Sequence, residues 1–127
     1  MNKIFINNET LYSILLILFS FFFNYYYANL GVHPIDTFAF FDNAYNILIG
    51  RHPFKDIWIT TGPLVDYMQA LSFKLFGLTW TSYIIHSSIL NVFITYIFFK
   101  TFLYFNFYKS LSFIYVSGFG MLCYTIL

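Results

Sequence analysis

The sequence predicts an all-α integral membrane protein, because of its composition and the placement of its charges. The chain has 127 residues, of which 60% are hydrophobic and only 9% are charged, whereas an average soluble domain carries about 25% charged residues. Formal charges are absent from 10–35, 75–99 and 110–127. A membrane-spanning helix needs about 20 mainly apolar residues, so two of these stretches are long enough and the third nearly is.

Three membrane spans are therefore expected, at about 11–29, 81–99 and 110–127, with a loop of about 30–80 between the first two. Tyrosines at the end of the first span and Trp80 before the second favour the headgroup level of a bilayer. The first stretch is long for a signal peptide and lacks a clear small-residue cleavage site, so an uncleaved anchor is expected. The third stretch reaches the last residue without a polar flank, which indicates a fragment of a longer protein.

Basic residues predict the orientation of these spans. Lys3 precedes the first span, whereas Lys100 and Lys109 lie between the second and third, on the same side of the membrane. Basic residues in short loops favour the cytoplasm. We therefore expect a multi-pass protein of the plasma (inner) membrane, with a cytoplasmic N-terminus and an external loop at 30–80. The net charge of +1 and the lack of a basic patch argue against a nucleic-acid partner.

The external loop is predicted to contain two short helices. The first covers about 36–49, with Gly50 just past its end and Pro53 preventing its continuation. The second covers about 63–76, with a proline at its first position and Gly77 at its stop. At about 100° per residue, the polar residues of the first helix share one arc, which predicts a helix lying in the membrane interface with a wet face. That arc contains Asp36, Asp42, Asn43, Asn46 and Gly50.

Several charged residues of the loop suit chemistry at a lipid surface. Asp36 heads the wet face, where it can act as a general base towards a hydroxyl. Arg51 and Lys55, in the irregular stretch between the helices, can neutralise a phosphate. Together these residues suit an enzyme that acts on a phosphate-linked lipid. The alternative is that they only solvate the interface, with their charged ends directed to water or headgroups.

Histidines give a weaker indication of function. His86 and Asn91 lie inside the second span, where polar side chains usually face the interior of a helix bundle. A histidine satisfied by a neighbouring helix is the preferred interpretation of His86. No metal site is predicted, since no close-spaced pair of ligands occurs among His33, Asp36, His52 and Asp56.

The order of motifs in the loop resembles a known family. An acidic residue after the first span is followed by a glycine, a P-F/Y-x-D element, a G-P-L start to the second helix and an L-F-G end. Here they are Asp36, Gly50, Pro53-Phe54-Lys55-Asp56, Gly62-Pro63-Leu64 and Leu75-Phe76-Gly77. This run resembles the first external loop of GT-C fold glycosyltransferases that use polyprenyl-phosphate-sugar donors. The family includes aminoarabinose transferases and protein O-mannosyltransferases.

The resemblance implies transfer of a sugar from a polyprenyl-phosphate-linked donor to an acceptor hydroxyl outside the cytoplasm, with no cofactor expected. Asp36 matches the catalytic carboxylate of the family, and Asp56 matches a frequent family position. Arg51 and Lys55 are weaker candidates for contact with the donor. Many members carry an acidic pair where Thr37 follows Asp36 here, and some carry a lysine immediately before the proline of the second helix, where this chain has glycine.

Family members have many more spans, so the chain is interpreted as the N-terminal part of a glycosyltransferase that is inactive alone. Two other functions stay open at this point. One is a small non-enzymatic multi-pass protein that assists a larger complex. The other is a transporter fragment in which His86 and Asn91 line a path.

Overall fold

The structure is a computed structural model that describes residues 8–31, 34–59 and 62–123, with the backbone alone at 34–36 and 119–123. Within these ranges the chain forms five α-helices and no strand, as the predicted fold class requires. The helices are α1 (Asn8–Ala28), α2 (Pro34–Leu48), α3 (Pro63–Phe76), α4 (Trp80–Tyr104) and α5 (Lys109–Cys123).

Two of the helices are long and apolar enough to cross a membrane. They are α1, with 21 residues, and α4, with 25 residues. They correspond to the first two predicted spans, although α4 continues beyond the predicted end through Lys100 to Tyr104. The third predicted span corresponds to α5, which has 15 residues against the roughly 20 that a span needs. Residues 124–127 of that prediction lie outside the described residues.

The two helices predicted in the loop are both present. The bounds of α3 match the prediction, with Pro63 in its first turn. Gly77 follows at φ 86°, and its N–H bonds to the carbonyl oxygen of Phe73 at 2.9 Å. Gly50, at φ 89°, comes two residues after the end of α2. This left-handed conformation favours glycine, which explains why both helices stop where they do.

Contacts divide the chain into two compact units, with one boundary between Tyr27 and Ala28 and the other inside α4 between Ser87 and Ser88. The described part of the first, here the span unit, comprises 8–27 and 88–123. The second, the loop unit, covers the described residues from 28 to 87. Each unit has its own apolar core. The core of the span unit contains Leu16, Phe99 and Val116, and that of the loop unit contains Ala44, Ala70, Phe73 and Tyr83.

Polar side chains join α1 to α4 inside the span unit. The hydroxyls of Ser20 and Thr95 lie 3.1 Å apart, and Asn24 Nδ2 donates to Ser88 Oγ at 3.1 Å. Asn91 Nδ2 donates to the Ser20 carbonyl oxygen at 3.4 Å. All five residues are buried. Hydrogen bonds of this kind, made by small polar side chains, are typical of helix packing in a bilayer.

The outward surface of α1 is apolar, whereas its buried face is partly polar. The buried residues of α1 are Leu16, Ser20 and Asn24, whereas its exposed side chains include Leu11, Ile14, Leu15, Leu18 and Phe22. A helix of a water-soluble protein shows the opposite arrangement. The distribution is consistent with lipid as the solvent of this helix.

We expect the bond between Asn24 and Ser88 to stabilise the packing of α1 on α4. A double-mutant cycle with Asn24→Ala and Ser88→Ala should give a coupling free energy of about 0.6 kcal/mol, the average for interhelical hydrogen bonds in a membrane. The measurement is reversible unfolding of the protein in mixed micelles. Thr101→Ala, combined with Asn24→Ala, is the matched control. It should give no coupling free energy, since Thr101 Oγ1 bonds to the Ile97 carbonyl oxygen of its own helix. A coupling energy of zero between Asn24 and Ser88 contradicts the expectation.

Candidate functional site

The candidate site is built on a hairpin of α2 and α3 in the loop unit. Ala44 of α2 is buried against Ala70 and Phe73 of α3. The ring of Phe41 packs on that of Phe73 with 4.7 Å between centroids. Such aromatic pairs add about 0.5–1.5 kcal/mol beyond the burial of their area. One apolar face of α2 thus packs within the protein.

Residues 51–58 form a closed turn at the end of α2, here called the 51–58 turn. The backbone N–H of Asp56 bonds to the carbonyl oxygen of His52 at 2.9 Å, and that of Phe54 bonds to the carbonyl oxygen of Ile57 at 2.8 Å. Asp56 Oδ2 accepts the backbone N–H of His52 at 2.8 Å. Asp56, a predicted site residue, therefore helps to close the turn with its carboxylate.

A chain of hydrogen bonds holds the side chain of Arg51 to the last turns of α2. Arg51 Nη1 donates to Asn46 Oδ1 at 2.8 Å. Asn46 Nδ2 in turn donates to the carbonyl oxygen of Asp42 at 2.8 Å and to its Oδ2 at 3.2 Å. Asn46 is buried, although the sequence predicts it on the wet face, whereas Asp42 is exposed as predicted. The guanidinium of Arg51 itself stays exposed, with further N–H donors available.

The structure brings three of the four predicted site residues into one turn and separates them from the fourth. Arg51, Lys55 and Asp56 belong to the 51–58 turn, and all are exposed. The backbone of Asp36 lies in the first turn of α2, and its side chain is outside the described residues. At about 1.5 Å per residue, the helix from Asp36 to Leu48 is about 18 Å long. Asp36 and the cations of the turn thus lie at opposite ends of α2.

A second polar cluster, which the sequence did not predict as a site, lies on the buried face of α3. Asp66, Gln69 and Ser72 follow one another at three-residue spacing, so they share one face of the helix, and all three are buried. Their spacing is visible in the sequence, but the burial of that face is not. Asn43 Nδ2 donates to Asp66 Oδ2 at 3.4 Å, and Ser72 Oγ donates to the Ser82 carbonyl oxygen at 3.1 Å. Gln69 Oε1 is hydrogen-bonded with His86 Nδ1.

This cluster contains buried polar atoms that have no hydrogen-bond partner in the part of the chain that the structure describes. They are Asp66 Oδ1, Gln69 Nε2 and His86 Nε2. The preferred interpretation of His86, satisfaction by a neighbouring helix, is confirmed for Nδ1. Burial removes water from the Asp66 carboxylate and raises its pKa, which the hydrogen bond from Asn43 only partly offsets.

Comparisons with protein families, curated proteins and solved structures return no match. The resemblance to GT-C glycosyltransferases therefore depends on the order and spacing of motifs in the loop. In the described part of the chain, no group of three or more His, Cys, Asp or Glu side chains is arranged to hold a metal ion. His33 and the side chain of Asp36 lie outside that part.

The raised pKa of Asp66 predicts that this group contributes less to the stability of the protein as the pH rises. Below the ordinary value of 3.8 the carboxyl is neutral in both the folded and the unfolded chain, so burial costs little. Above that value the unfolded chain releases its proton first, which favours unfolding until the folded carboxyl ionises as well. The contribution of Asp66 to the midpoint of thermal unfolding in detergent should therefore fall from pH 4 towards neutral pH.

Asp66→Asn should reduce this fall, because the amide does not titrate. The comparison is made between pH values within each variant, so it does not depend on the difference between an amide and a carboxyl. Asp42→Asn is the matched control, since it removes an exposed carboxylate from the same helix pair, and its fall should resemble that of the wild type. An unchanged pH dependence in Asp66→Asn is the contradicting result.

Proposed function

We propose that the chain forms part of a membrane glycosyltransferase that moves a sugar from a polyprenyl-phosphate-linked donor to an acceptor hydroxyl outside the cytoplasm. The observation that carries the proposal is the α2–turn–α3 hairpin, which follows the first apolar helix and contains the family's motifs in order. Gly50 and Gly77, two of those motif residues, both adopt positive φ at helix ends. The motif glycines therefore have a structural reason to stand where they do.

Asp36 is the residue to which we assign the chemistry. It lies in the first turn of α2, at the positive end of the helix dipole, where a carboxylate is favoured. In the proposed reaction its carboxylate accepts the proton of the acceptor hydroxyl while that oxygen bonds to the anomeric carbon of the sugar. The bond from that carbon to the donor phosphate breaks, and the lipid phosphate leaves with the electron pair. A positioned base of this kind contributes about 10²- to 10⁴-fold to a rate.

Arg51 and Lys55 receive no chemical role in this proposal. The length of α2, about 18 Å between Asp36 and Leu48, is too great for one phosphate to contact the turn while its sugar reacts beside Asp36. We assign these two cations to lipid phosphates at the membrane surface. The chain lacks the lysine that some family members carry before the second helix, where Gly62 stands, so the contacts to the reacting phosphate are assigned to the further spans of the enzyme.

A path lined by His86 and Asn91, the transporter alternative, receives less support. His86 is engaged with Gln69 through Nδ1, and Asn91 donates to the Ser20 carbonyl oxygen. Both side chains are buried and take part in helix packing.

We expect Asp36→Asn in the complete gene product to lower sugar transfer by about 10²- to 10⁴-fold, because the amide cannot accept the proton. The measurement is transfer of a labelled sugar from polyprenyl-phosphate donors in membranes that contain equal amounts of each variant. Asp42→Asn is the matched control, since Asp42 lies on the same helix with an exposed carboxylate, and it should retain activity. Full transfer by Asp36→Asn at normal expression would falsify the assignment.

A further inference from the structure

Two aromatic rings project from the 51–58 turn without cover from the rest of the described chain. Phe54 is 60% exposed and Trp58 is 81% exposed. Their rings meet edge to face with 6.4 Å between centroids. The other tryptophan, Trp80, packs against Tyr83 with 5.1 Å between ring centroids. Trp58 is therefore the more exposed of the two tryptophans.

The backbone of Phe54 shows that the exposed ring is maintained at a cost. Its φ is 64°, a left-handed conformation that is unfavourable for a bulky side chain and persists only where the surroundings enforce it. The bond from the Phe54 N–H to the Ile57 carbonyl oxygen and the closure of the turn by Asp56 enforce it here. A glycine would adopt the same conformation without strain. The folding of the turn therefore does not explain the ring, which points to a role outside the fold.

The same turn presents positive charge beside the rings. Arg51 and Lys55 are both exposed. Asp56 is the one acidic residue in 51–58, and one of its carboxylate oxygens is already bonded to the backbone N–H of His52. The outward side of the turn thus combines apolar rings with cationic donors.

We propose that the 51–58 turn is a membrane anchor that inserts Phe54 and Trp58 into the interfacial layer and places Arg51 and Lys55 against anionic phospholipid headgroups. Aromatic rings with one polar edge are favoured at the headgroup level of a bilayer. Lysine and arginine near an anionic surface are attracted to its phosphates. Because the exposed cations complement anionic headgroups in charge, phospholipid is the partner that this surface fits. The inference does not depend on the enzymatic proposal.

The test uses the full chain in lipid vesicles and reads the fluorescence of Trp58 as the difference between wild type and Trp58→Phe. This difference leaves Trp80 unaltered. The probes are phospholipids brominated near the headgroup and acrylamide in the aqueous phase. We expect brominated lipid to quench Trp58 and acrylamide to reach it poorly. Quenching by acrylamide without quenching by lipid overturns the proposal, and so does protection from both, because another part of the protein would then cover the turn.

Three variants separate an anchor from a merely exposed turn. Phe54→Gly should weaken lipid quenching of Trp58 while thermal stability stays equal or rises, because glycine relieves the strain. In vesicles that contain phosphatidylglycerol, Lys55→Gln should lower the ratio of inserted to exposed turn about fivefold, with no such change in neutral vesicles. Lys74→Gln is the matched control, an exposed lysine of α3 outside the turn, and it should leave quenching unchanged. Added inorganic phosphate should not displace the turn from the vesicles. Equal effects of Lys55→Gln and Lys74→Gln on lipid quenching contradict the role of Lys55.

Discussion

Polar side chains on apolar helices are tolerated when a neighbouring helix supplies their partners, and both units of this chain depend on that pairing. In the span unit, Asn24 and Ser20 of α1 meet Ser88, Asn91 and Thr95 of α4. An unpaired buried polar group costs about 1–3 kcal/mol of stability, which is more than most single apolar contacts contribute. These pairs therefore fix which faces of α1 and α4 meet, and the apolar side chains that remain face outward.

The loop unit applies the same constraint to its own helices. Asp66, Gln69 and Ser72 lie on one face of α3, and their partners come from α2 for the first and from α4 for the other two. Rotation of α3 about its axis would bury apolar side chains in their place and expose the three polar ones. It would also leave Asn43 and His86 without their present partners. The polar pairs thus select one orientation of α3, while Ala44, Ala70, Phe73 and Tyr83 form the buried apolar core.

Local signals in the sequence predicted the helices well, and non-local contacts account for what it did not predict. Pro63 and Gly77 set the ends of α3 through their own backbone preferences, so its bounds could be read directly. The burial of Asp66 on α3 depends on neighbours such as Asn43 of α2, which contact it only after folding. The polar pattern of α2 was interpreted as a wet face throughout, whereas Asn46 is buried. Asp36 was assigned through motif order, and its side chain lies outside the described residues.

The two ends of α2 carry different kinds of residue, and the helix between them keeps those ends at a fixed distance. Its first turn contains Asp36, and its last turns hold Arg51 through Asn46. A helix is stiff over this length, and functional groups on helices are placed more accurately than groups on loops. If the 51–58 turn sits at the headgroup level, the tilt of α2 decides how far Asp36 lies from that level. The packing of Phe41 on Phe73 holds α2 against α3, so this contact helps to fix the position of the proposed base relative to the rest of the loop unit.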